Sequence, residues 1–325
     1  MQAVTLNAFG PPEALVSIEL PDPVPQAGQA LIEVHLANIT FVETQIRAGR
    51  PPHPAMAPSL PAIPGNGVGG TVAAVGAGVD PGLVGTRVIA STGGSGAYAE
   101  LVAVPAAALI PVPDGLGLRD ATALLADGRT AMAQLRNAAV RSGETVLVEA
   151  AAGGVGSLLV QLASSAGAYV VAAARGSRKL ALAGELGARL AVDYGDAGWA
   201  ERVRAERGGV DVAFDGVGGE IGRTAFELLR AGGRFCPFGM ASGSFAAVGE
   251  DEAARRDVAI VRGGPLAPAE SLALTREALA EAAAGRLRPV VGQTFPLRRA
   301  ADAHAAIEAR ATVGKTLLTT GRSSR

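Results

Sequence analysis

Residues 145–174 are TVLVEAAAGGVGSLLVQLASSAGAYVVAAA. The stretch begins with an apolar run of strand length, Thr145–Ala150, and ends with another, Tyr169–Ala174. A glycine turn that contains Gly153 and Gly156 follows the first run, and apolar residues then recur at i, i+3, i+4, i+7 and i+8, which is helical spacing. The order strand, glycine turn, helix, strand predicts a βαβ unit with two parallel strands.

The glycine turn matches the pattern G-x-G-x-x-G, except that Ala151 stands where the first glycine would be. Gly153 lets the backbone approach a pyrophosphate, and Gly156 lets the helix pack close to the sheet. The amides of the first helical turn then point toward the anion. The turn therefore predicts a dinucleotide site, and the alternative is a tight turn that binds nothing.

The end of the second strand indicates which dinucleotide binds. Proteins that prefer NAD place an acidic side chain about 20 residues beyond the glycine turn, where it accepts a hydrogen bond from the ribose 2′-hydroxyl. Residues 172–179 are AAARGSRK, with three cations at Arg175, Arg178 and Lys179 and no acid. Cations favour a 2′-phosphate, so NADPH is the predicted cofactor. The alternative is a solvated basic helix start, which would oppose the helix dipole by ~0.3–1 kcal/mol.

Composition excludes several classes of protein. The 325 residues suggest two domains, and the balance of 29 basic and 30 acidic residues argues against nucleic acid or an anionic membrane surface as a partner. The single cysteine, Cys236, excludes an internal disulfide and multi-cysteine zinc sites. Residues 150–174 carry no charge, but their glycine clusters favour the βαβ interpretation over a membrane span. No signal-peptide pattern opens the sequence, so a cytoplasmic location is expected.

The pattern of apolar runs changes along the chain. The first 113 residues contain short runs between turn formers, for example 30–37, 70–75 and 97–104, which predicts a β-rich module. From about Arg119 strand-length runs alternate with helix-length segments, which predicts a parallel sheet covered on both faces. These predicted strands are 145–150, 169–174, 189–192, 210–215, 233–237 and 257–261. After Gly264, two helices and two strands break the alternation and are expected to return to the first module, with a frayed tail at 321–325.

Several short motifs follow one another along nearly the whole chain. They are TVAAVGAGV (71–79), GTRV (85–88), GAYAE (96–100), AAAGGVG (150–156), VDY (192–194), FDGVGG (214–219) and GKTLL (314–318). In this order and spacing they resemble the medium-chain dehydrogenase/reductase superfamily, specifically its zinc-free quinone oxidoreductase (zeta-crystallin-like) branch. The resemblance implies an α/β fold with a GroES-like β-rich catalytic domain at 1–119 and 265–325. A doubly wound Rossmann domain at 120–264 would lie between these segments, with a substrate cleft at the junction.

The resemblance also implies cofactor contacts. The predicted cofactor-binding residues are Thr130, Gly153, Gly154, Val155, Arg175, Ser177, Lys179, Tyr194, Val217, Phe238, Gly239 and Arg310. Within this set the residues of the glycine turn match pyrophosphate contacts, while Lys179 and Tyr194 match contacts to the 2′-phosphate. Phe238 matches a residue on the nicotinamide side, with ordinary core packing as its alternative. Arg310 matches a C-terminal cofactor-binding arginine, and its alternative is a surface charge at a helix end.

The chain departs from the zinc-dependent members of the superfamily. Those members carry an early ligand cysteine, a Gly-His-Glu motif and a four-cysteine lobe, whereas this chain has Gly65-Asn66-Gly67 at the second position and one cysteine in total. His35, His53 and His304 are too few and too scattered to substitute, and we interpret each as non-catalytic. No zinc is therefore predicted, since a site needs three or four suitable ligands.

Conjugate reduction is the chemistry that this residue set favours. Without zinc there is no Lewis acid to polarise an alcohol or a ketone, so ordinary alcohol dehydrogenation loses its main electrostatic stabilisation. When hydride adds to the β-carbon of an enone or quinone, negative charge instead develops on a distant oxygen, where hydrogen-bond donors can stabilise it. The candidate catalytic residues are Thr40, Gln45, Tyr98 and Arg129. Thr40 and Gln45 stand where the zinc-free branch typically has asparagine and tyrosine. Each candidate also has a non-catalytic alternative: Gln45 would be part of the cleft wall, Tyr98 a strand or hinge residue, and Arg129 a member of an ion pair at the domain interface.

We therefore expect an NADPH-dependent reductase of quinones or α,β-unsaturated carbonyls. The alternative is a cofactor-binding protein with little turnover, in a crystallin-like or regulatory role. The apolar runs 234–237 and 257–261 are expected at the edge of the parallel sheet, where an uncovered strand tends to pair. Members of the resembled family form dimers by pairing these edges across a two-fold axis, which implies a homodimer. The alternative is that residues 243–254 fold over the edge and cover it.

Overall fold

The computed structural model describes residues Met1–Gly321, so most of the predicted tail at 321–325 lies outside the described residues. The chain divides into two compact units: an outer unit, Met1–Ala126 together with the segment from Thr275 onward, and a central unit, Asp127–Leu274. Both boundaries lie further along the chain than the predicted 119/120 and 264/265. They fall inside the helices Leu118–Ala138 and Pro268–Ala283, each of which begins in one unit and ends in the other.

Strands and helices are numbered here in chain order. The strands are β1 (Gln2–Leu6), β2 (Leu15–Glu19), β3 (Gln29–Ile39), β4 (Gly67–Val75), β5 (Arg87–Ser91), β6 (Leu101–Pro105), β7 (Leu109–Pro111), β8 (Thr145–Glu149), β9 (Tyr169–Ala174), β10 (Leu190–Asp193), β11 (Val210–Asp215), β12 (Leu229–Pro237), β13 (Ala259–Ile260), β14 (Val291–Pro296) and β15 (Lys315–Thr319). The helices are α1 (Phe41–Arg47), α2 (Leu118–Ala138), α3 (Gly154–Ser165), α4 (Ser177–Glu185), α5 (Trp199–Arg207), α6 (Gly219–Glu227), α7 (Glu250–Arg255), α8 (Pro268–Ala283) and α9 (Ala300–Glu308).

The central unit is built on a six-stranded parallel sheet in the order β10-β9-β8-β11-β12-β13. Its strands are apolar because helices cover both faces, and residues such as Val148 and Phe214 are fully buried. The predicted βαβ unit is confirmed as β8, α3 and β9. Among the described residues, no helix combines the length and apolar character that a membrane span requires.

The outer unit is built on an antiparallel-rich sheet in the order β14-β15-β3-β4-β5-β7, with β6 also paired to β3. Strand β15 runs antiparallel to β3, with Leu318 opposite Ala37, so the C-terminal segment returns to the N-terminal module as predicted. Leu317 and Leu318 are fully buried in this sheet. Together the two sheets confirm the predicted α/β fold, with a β-rich unit built from both chain ends and a parallel-sheet unit from the residues between them.

Two predicted strands are shorter in the structure. The segment 97–104 is regular only from Leu101, because Ala99 makes an isolated bridge to Ala3 instead of joining the ladder. The segment 257–261 is reduced to the two residues of β13, since Asp257 has a φ of +52° and still belongs to the turn after α7. Strand β13 lies at the sheet edge, as predicted, and Ala259 is exposed there.

Candidate cofactor and active site

The glycine turn leaves the first amides of α3 available to a ligand. Gly153 is the N-cap of α3, and no side chain caps the helix. A Cβ atom at Gly156 would lie 2.2 Å from the carbonyl oxygen of Ala150, so only glycine allows this close approach between the helix and the end of β8. Gly154 and Val155 are partly exposed at the first turn. An uncapped helix N-terminus with small residues fits an anionic pyrophosphate group.

The cation cluster lies at the carboxyl ends of β9 and β10. Arg175 and Ser177 are exposed, while Lys179 and Tyr194 are half-buried. Gly176, with a φ of +89°, is the N-cap of α4 and also lacks a side-chain cap. Because β9 and β10 are parallel neighbours, the structure brings the residues predicted to contact the 2′-phosphate to one edge of the sheet.

Sequence reasoning missed an acidic side chain beside this cluster. Asp193, the last residue of β10, accepts hydrogen bonds from the backbone amides of Gly176 and Gly195, each at 2.7 Å. A Cβ atom at Gly195 would lie 3.4 Å from Nε of Arg175, so the loop packs against that arginine. The carboxylate therefore shapes the turn that carries Arg175. The prediction considered only the end of the second strand, and the acid comes from the next one.

The residues predicted on the nicotinamide side follow β11 and β12. The backbone amides of Phe238 and Gly239 donate to the carbonyl of Asp215 at 2.9 and 3.2 Å. A Cβ atom at Gly216 would lie 2.8 Å from Cζ of Phe238, so the ring packs directly on this glycine. Phe238 is half-buried, and Val217 is buried. The two strand ends thus place these three residues together.

Beneath these turns lies a buried pair of carboxyl groups that the sequence analysis did not identify. Glu149 ends β8, Asp215 ends β11, and both side chains are fully buried. Asp215 Oδ1 accepts the amides of Val217 and Gly218 at 2.9 and 2.6 Å, and Glu149 Oε2 accepts the amide of Val217 at 3.3 Å. Glu149 Oε1 and Asp215 Oδ2 have no hydrogen-bond partner among the described residues. A proton held between the two groups would satisfy both oxygens.

Thr40 in the outer unit is the N-cap of α1, and its side chain is half-buried. The backbone amide and the hydroxyl of Thr40 both donate to Oε2 of Glu43, at 2.5 and 3.0 Å. The other carboxylate oxygen of Glu43 accepts the amide of Asn66 at 2.9 Å. Glu43 therefore joins the start of α1 to the segment Gly65-Asn66-Gly67. Thr40 and Glu43 form the spacing T-x-x-E of a capping box, a signal that was present in the sequence.

Burial strongly affects Glu43, which is 6% exposed. Desolvation raises the pKa of its carboxyl to about 7, against the lowering effects of the Thr40 hydrogen bonds and the charge of Lys315. Lys315, in β15, is itself only 3% exposed. One of the two lysines of the chain is therefore a buried counter-charge to a buried carboxyl group.

Two other predicted site residues lie near the same helix. Gln45 is buried, and its amide donates to the hydroxyl of Thr44 at 3.2 Å. Arg310 follows α9 with a φ of +58°, and its guanidinium carbon lies 4.8 Å from the ring centroid of Phe41. Arg310 is exposed and stacks on the residue that follows Thr40, and its cofactor contact stays a prediction.

The position of Tyr98 does not favour its predicted role as a hydrogen-bond donor to the substrate. The side chain is fully buried, and its hydroxyl lies 2.9 Å from Nε2 of His304. A Cβ atom at Gly65 would lie 2.5 Å from the tyrosine ring, so that glycine makes room for it. Burial lowers the pKa of His304 to about 3, which keeps the imidazole neutral. The hydroxyl is thus engaged inside the outer unit, and this placement favours the strand alternative.

Arg129 and Thr130 lie on the part of α2 that belongs to the central unit. Arg129 Nη1 donates to the hydroxyl of Ser271 at 2.9 Å. Burial lowers the pKa of Arg129, and the nearby Asp127 partly offsets that effect. Thr40 and Gln45, by contrast, belong to the outer unit.

The remaining cysteine and histidines do not form a reactive cluster. Cys236 is buried in β12, and desolvation raises the pKa of its thiol to about 12. His53 is exposed, and its Nδ1 accepts the amide of Ala55 at 3.1 Å. Within residues 1–321, no group of three or more histidine, cysteine, aspartate or glutamate side chains has a geometry that could hold a metal ion.

Comparison with known proteins agrees with this architecture. Residues 26–114 match the family described as the alcohol dehydrogenase GroES-like domain. Residues 186–318 match the family described as zinc-binding dehydrogenase. The two matches define the class: a two-part dehydrogenase with a GroES-like catalytic domain.

Full-length relatives narrow the class. A probable quinone oxidoreductase of Schizosaccharomyces pombe is 34% identical, over 97% of this chain and 96% of that protein. A 2-haloacrylate reductase of a Burkholderia species is 32% identical, over 98% of each chain. The crystal structure of the Escherichia coli quinone oxidoreductase complexed with NADPH superposes with a TM-score of 0.89 at 28% identity, covering 98% of this chain and 100% of that one. The chain belongs to the quinone oxidoreductase branch of the medium-chain dehydrogenase/reductase superfamily, as the motifs predicted.

The buried Glu149–Asp215 pair generates a prediction about stability and pH. Burial, and then the charge of Asp215, raise the pKa of Glu149 well above its ordinary 4.5. A raised folded-state pKa gives stability that is fully present below pH 4.5 and is lost as the pH rises through the raised pKa. Glu149→Gln imitates the protonated form, so the variant should unfold at a melting temperature that falls less between pH 5 and pH 9 than that of the unmodified protein.

Differential scanning calorimetry across this pH range measures the effect. Glu206→Gln, at an exposed position of α5 in the same unit, is the matched control and should follow the unmodified protein. Parallel curves for the unmodified protein and Glu149→Gln would show that Glu149 is not a buried protonated group.

Proposed function

We propose that the protein is an NADPH-dependent oxidoreductase that transfers hydride to a quinone or an α,β-unsaturated carbonyl without zinc. One observation supports the proposal most directly. The uncapped N-terminus of α3 and a cluster of four predicted 2′-phosphate contacts both lie at the carboxyl ends of the parallel strands; the cluster is Arg175, Ser177, Lys179 and Tyr194. The branch to which the chain belongs includes proteins named for quinone and 2-haloacrylate reduction. Both names describe electron-poor conjugated acceptors, which accept hydride at carbon.

The residues of the central unit bind and orient the cofactor. The amides at the start of α3 hold the pyrophosphate, and the cations at the ends of β9 and β10 hold the 2′-phosphate. Phe238 and Gly239 form part of the nicotinamide side, where bound NADPH supplies the hydride. Arg129 and Thr130 remain proposed contacts, with Arg129 fixed by Ser271 at 2.9 Å. Positioning of this kind supplies much of the rate enhancement in a bimolecular transfer.

The outer unit supplies the donors for the oxygen on which negative charge develops. Thr40 is the strongest candidate, because the residue is half-buried and its backbone amide is held by a hydrogen bond to Glu43. Gln45 is a weaker candidate, since the residue is buried. Tyr98 is assigned to packing with His304. A preorganised donor stabilises an oxyanion most effectively where water is excluded.

The test is NADPH consumption by the purified protein with 1,4-benzoquinone and with a simple enone. Turnover of either acceptor agrees with the proposal. Binding of NADPH without turnover of either would favour the alternative, a cofactor-binding protein with a crystallin-like or regulatory role.

Cofactor preference gives a specific prediction. Lys179→Ala should weaken NADPH binding by about 1.5–3 kcal/mol, the range for a hydrogen bond to a charged group, and leave NADH binding nearly unchanged. Arg202→Ala, at an exposed position of α5 in the same unit, is the matched control and should affect NADPH much less. Isothermal titration calorimetry with both cofactors measures this. Equal losses for NADPH and NADH after Lys179→Ala would contradict a 2′-phosphate contact.

Metal independence is the next prediction. The chain has one cysteine, buried and with a thiol pKa of about 12, and three histidines. Activity should survive exhaustive dialysis against a chelator, because no Lewis acid is required for conjugate addition. Elemental analysis after dialysis completes the measurement. One zinc ion per chain, with activity lost on its removal, would refute the zinc-free assignment.

We also propose a homodimer joined through the edges of the parallel sheet, and a cytoplasmic location. Strand β13 has only two residues, and the exposed Ala259 leaves this edge uncovered within residues 1–321. Helix α7 packs beside β13 through the buried Ala253, but it does not cover Ala259. An open edge favours pairing with a second copy across a two-fold axis. A single buried cysteine suits a reducing compartment.

Substitution at the edge tests the dimer. In an isologous contact Ala259 would lie near its own symmetry mate, so Ala259→Lys should place like charges together and shift the protein from dimer to monomer. Analytical ultracentrifugation at micromolar concentration measures the shift. Ala205→Lys, at an exposed position of α5, is the control and should remain dimeric. A monomer for the unmodified protein would rule out this interface.

A further inference from the structure

The carboxylate of Glu43 is surrounded by groups from four parts of the outer unit. Thr40 donates its amide and its hydroxyl to Oε2, at 2.5 and 3.0 Å, and Asn66 donates its amide to Oε1 at 2.9 Å. Lys315 faces the group from β15 and lowers its pKa. Burial, and then the charge of the nearby Glu43, raise the pKa of Tyr98. Glu43 is 6% exposed, so bulk water does not substitute for these contacts.

The protonation of Glu43 decides which way the Thr40 hydroxyl points its hydrogen. With the carboxylate ionised, the hydroxyl donates to Oε2, as in the structure. With the carboxyl protonated, that proton is donated to Oγ1 of Thr40, and the threonine hydrogen is free to donate elsewhere. The carboxyl has a pKa of about 7, so both forms exist at neutral pH. Thr40 is the half-buried member of the pair, and Glu43 lies behind it.

We propose that Glu43 supplies, through the hydroxyl of Thr40, the proton that neutralises the substrate oxygen after hydride transfer. This inference rests on the proposed function. Thr40 is the catalytic residue, because it would touch the substrate. Glu43 acts through Thr40 and is therefore a positioning residue that also stores the proton.

The step balances without a further reactant. Hydride adds to the β-carbon, the carbon–carbon π pair moves toward the carbonyl, and an enolate oxygen forms. That oxygen takes the hydrogen of Thr40 Oγ1, while Oγ1 takes the proton of the Glu43 carboxyl. The product is the enol. With a quinone acceptor this enol is a hydroxydienone, which becomes the hydroquinone when the ring carbon that received the hydride loses a proton and the second oxygen gains one. Glu43 is left as a carboxylate, stabilised by Lys315 and the amides of Thr40 and Asn66, and is reprotonated from solvent before the next turnover.

The pH profile of kcat for an enone distinguishes this role from simple packing. In the unmodified protein kcat should fall about tenfold between pH 6 and pH 8, since the protonated fraction of a group with a pKa near 7 falls by that factor. Glu43→Gln should lower kcat at pH 6 by about 10²-fold, the lower end of general-acid contributions, and should lack this pH dependence. A merely structural loss would lower kcat equally at every pH and leave the fall in place.

Companion variants test the relay itself. Thr40→Val should lose as much activity as Glu43→Gln, the double variant should lose no more than either, and Thr40→Ser should restore most of the rate by restoring a hydroxyl. Lys315→Met removes the positive charge that lowers the pKa of Glu43, so the fall in kcat should move to higher pH. Glu19→Gln, an exposed carboxylate in the same unit, is the control and should keep the full profile.

A readout independent of activity uses the protein without substrate. The infrared difference between the unmodified protein and Glu43→Gln should contain the carbonyl band of a protonated carboxyl that disappears as the pH is raised through about 7. If the unmodified protein turns over enones but Glu43→Gln keeps its rate and pH profile, the relay is wrong and the proposed function stands. If no acceptor is reduced by the unmodified protein, the proposed function itself fails.

Discussion

The close approach of helix α3 to the end of β8 is the contact on which the cofactor part of the molecule depends. Gly156 permits it, because any larger side chain would place a Cβ atom 2.2 Å from the carbonyl oxygen of Ala150. The helix then begins at the carboxyl edge of the parallel sheet, with its unpaired amides at the surface. The neighbouring parallel strands end on the same side of the sheet. The cations at the start of α4 and the turns that contain Val217 and Phe238 therefore lie on that side as well.

Each of the two units contains buried carboxyl groups next to residues of the candidate site. Glu149 and Asp215 lie beneath the strand ends of the central unit, and Glu43 lies beneath Thr40 in the outer unit. In each place, desolvation raises the pKa of a carboxyl group: well above its ordinary value for Glu149, and to about 7 for Glu43. The carboxyl oxygens in both places accept backbone amides and so fix the neighbouring turns. The outer group differs in having a buried lysine and a half-buried hydroxyl beside it, which turns a packing feature into a means of moving a proton.

Reasoning from the sequence was most accurate where local pattern and tertiary structure agree. Strands such as β9 and β11 were predicted to the residue, since apolar runs of that length are buried on both faces of a parallel sheet. The edge strand β13 was predicted too long, because its length depends on the turn after α7 rather than on its own apolar residues. The motif-based family assignment was confirmed by relatives that cover nearly the whole chain.

The sequence by itself determined the βαβ unit, the anion-binding turn, the position of the cation cluster and the return of the C-terminal strand to the first module. Each of these follows from residue spacing within one segment, or from motifs in a set order. Only the tertiary structure decided that Tyr98 is engaged by His304, that Asp193 shapes the Arg175 turn, and that Lys315 is the counter-charge of Glu43. These contacts join residues far apart in the chain, and the protonation they impose depends on burial, which arises only when the sheets and helices have packed.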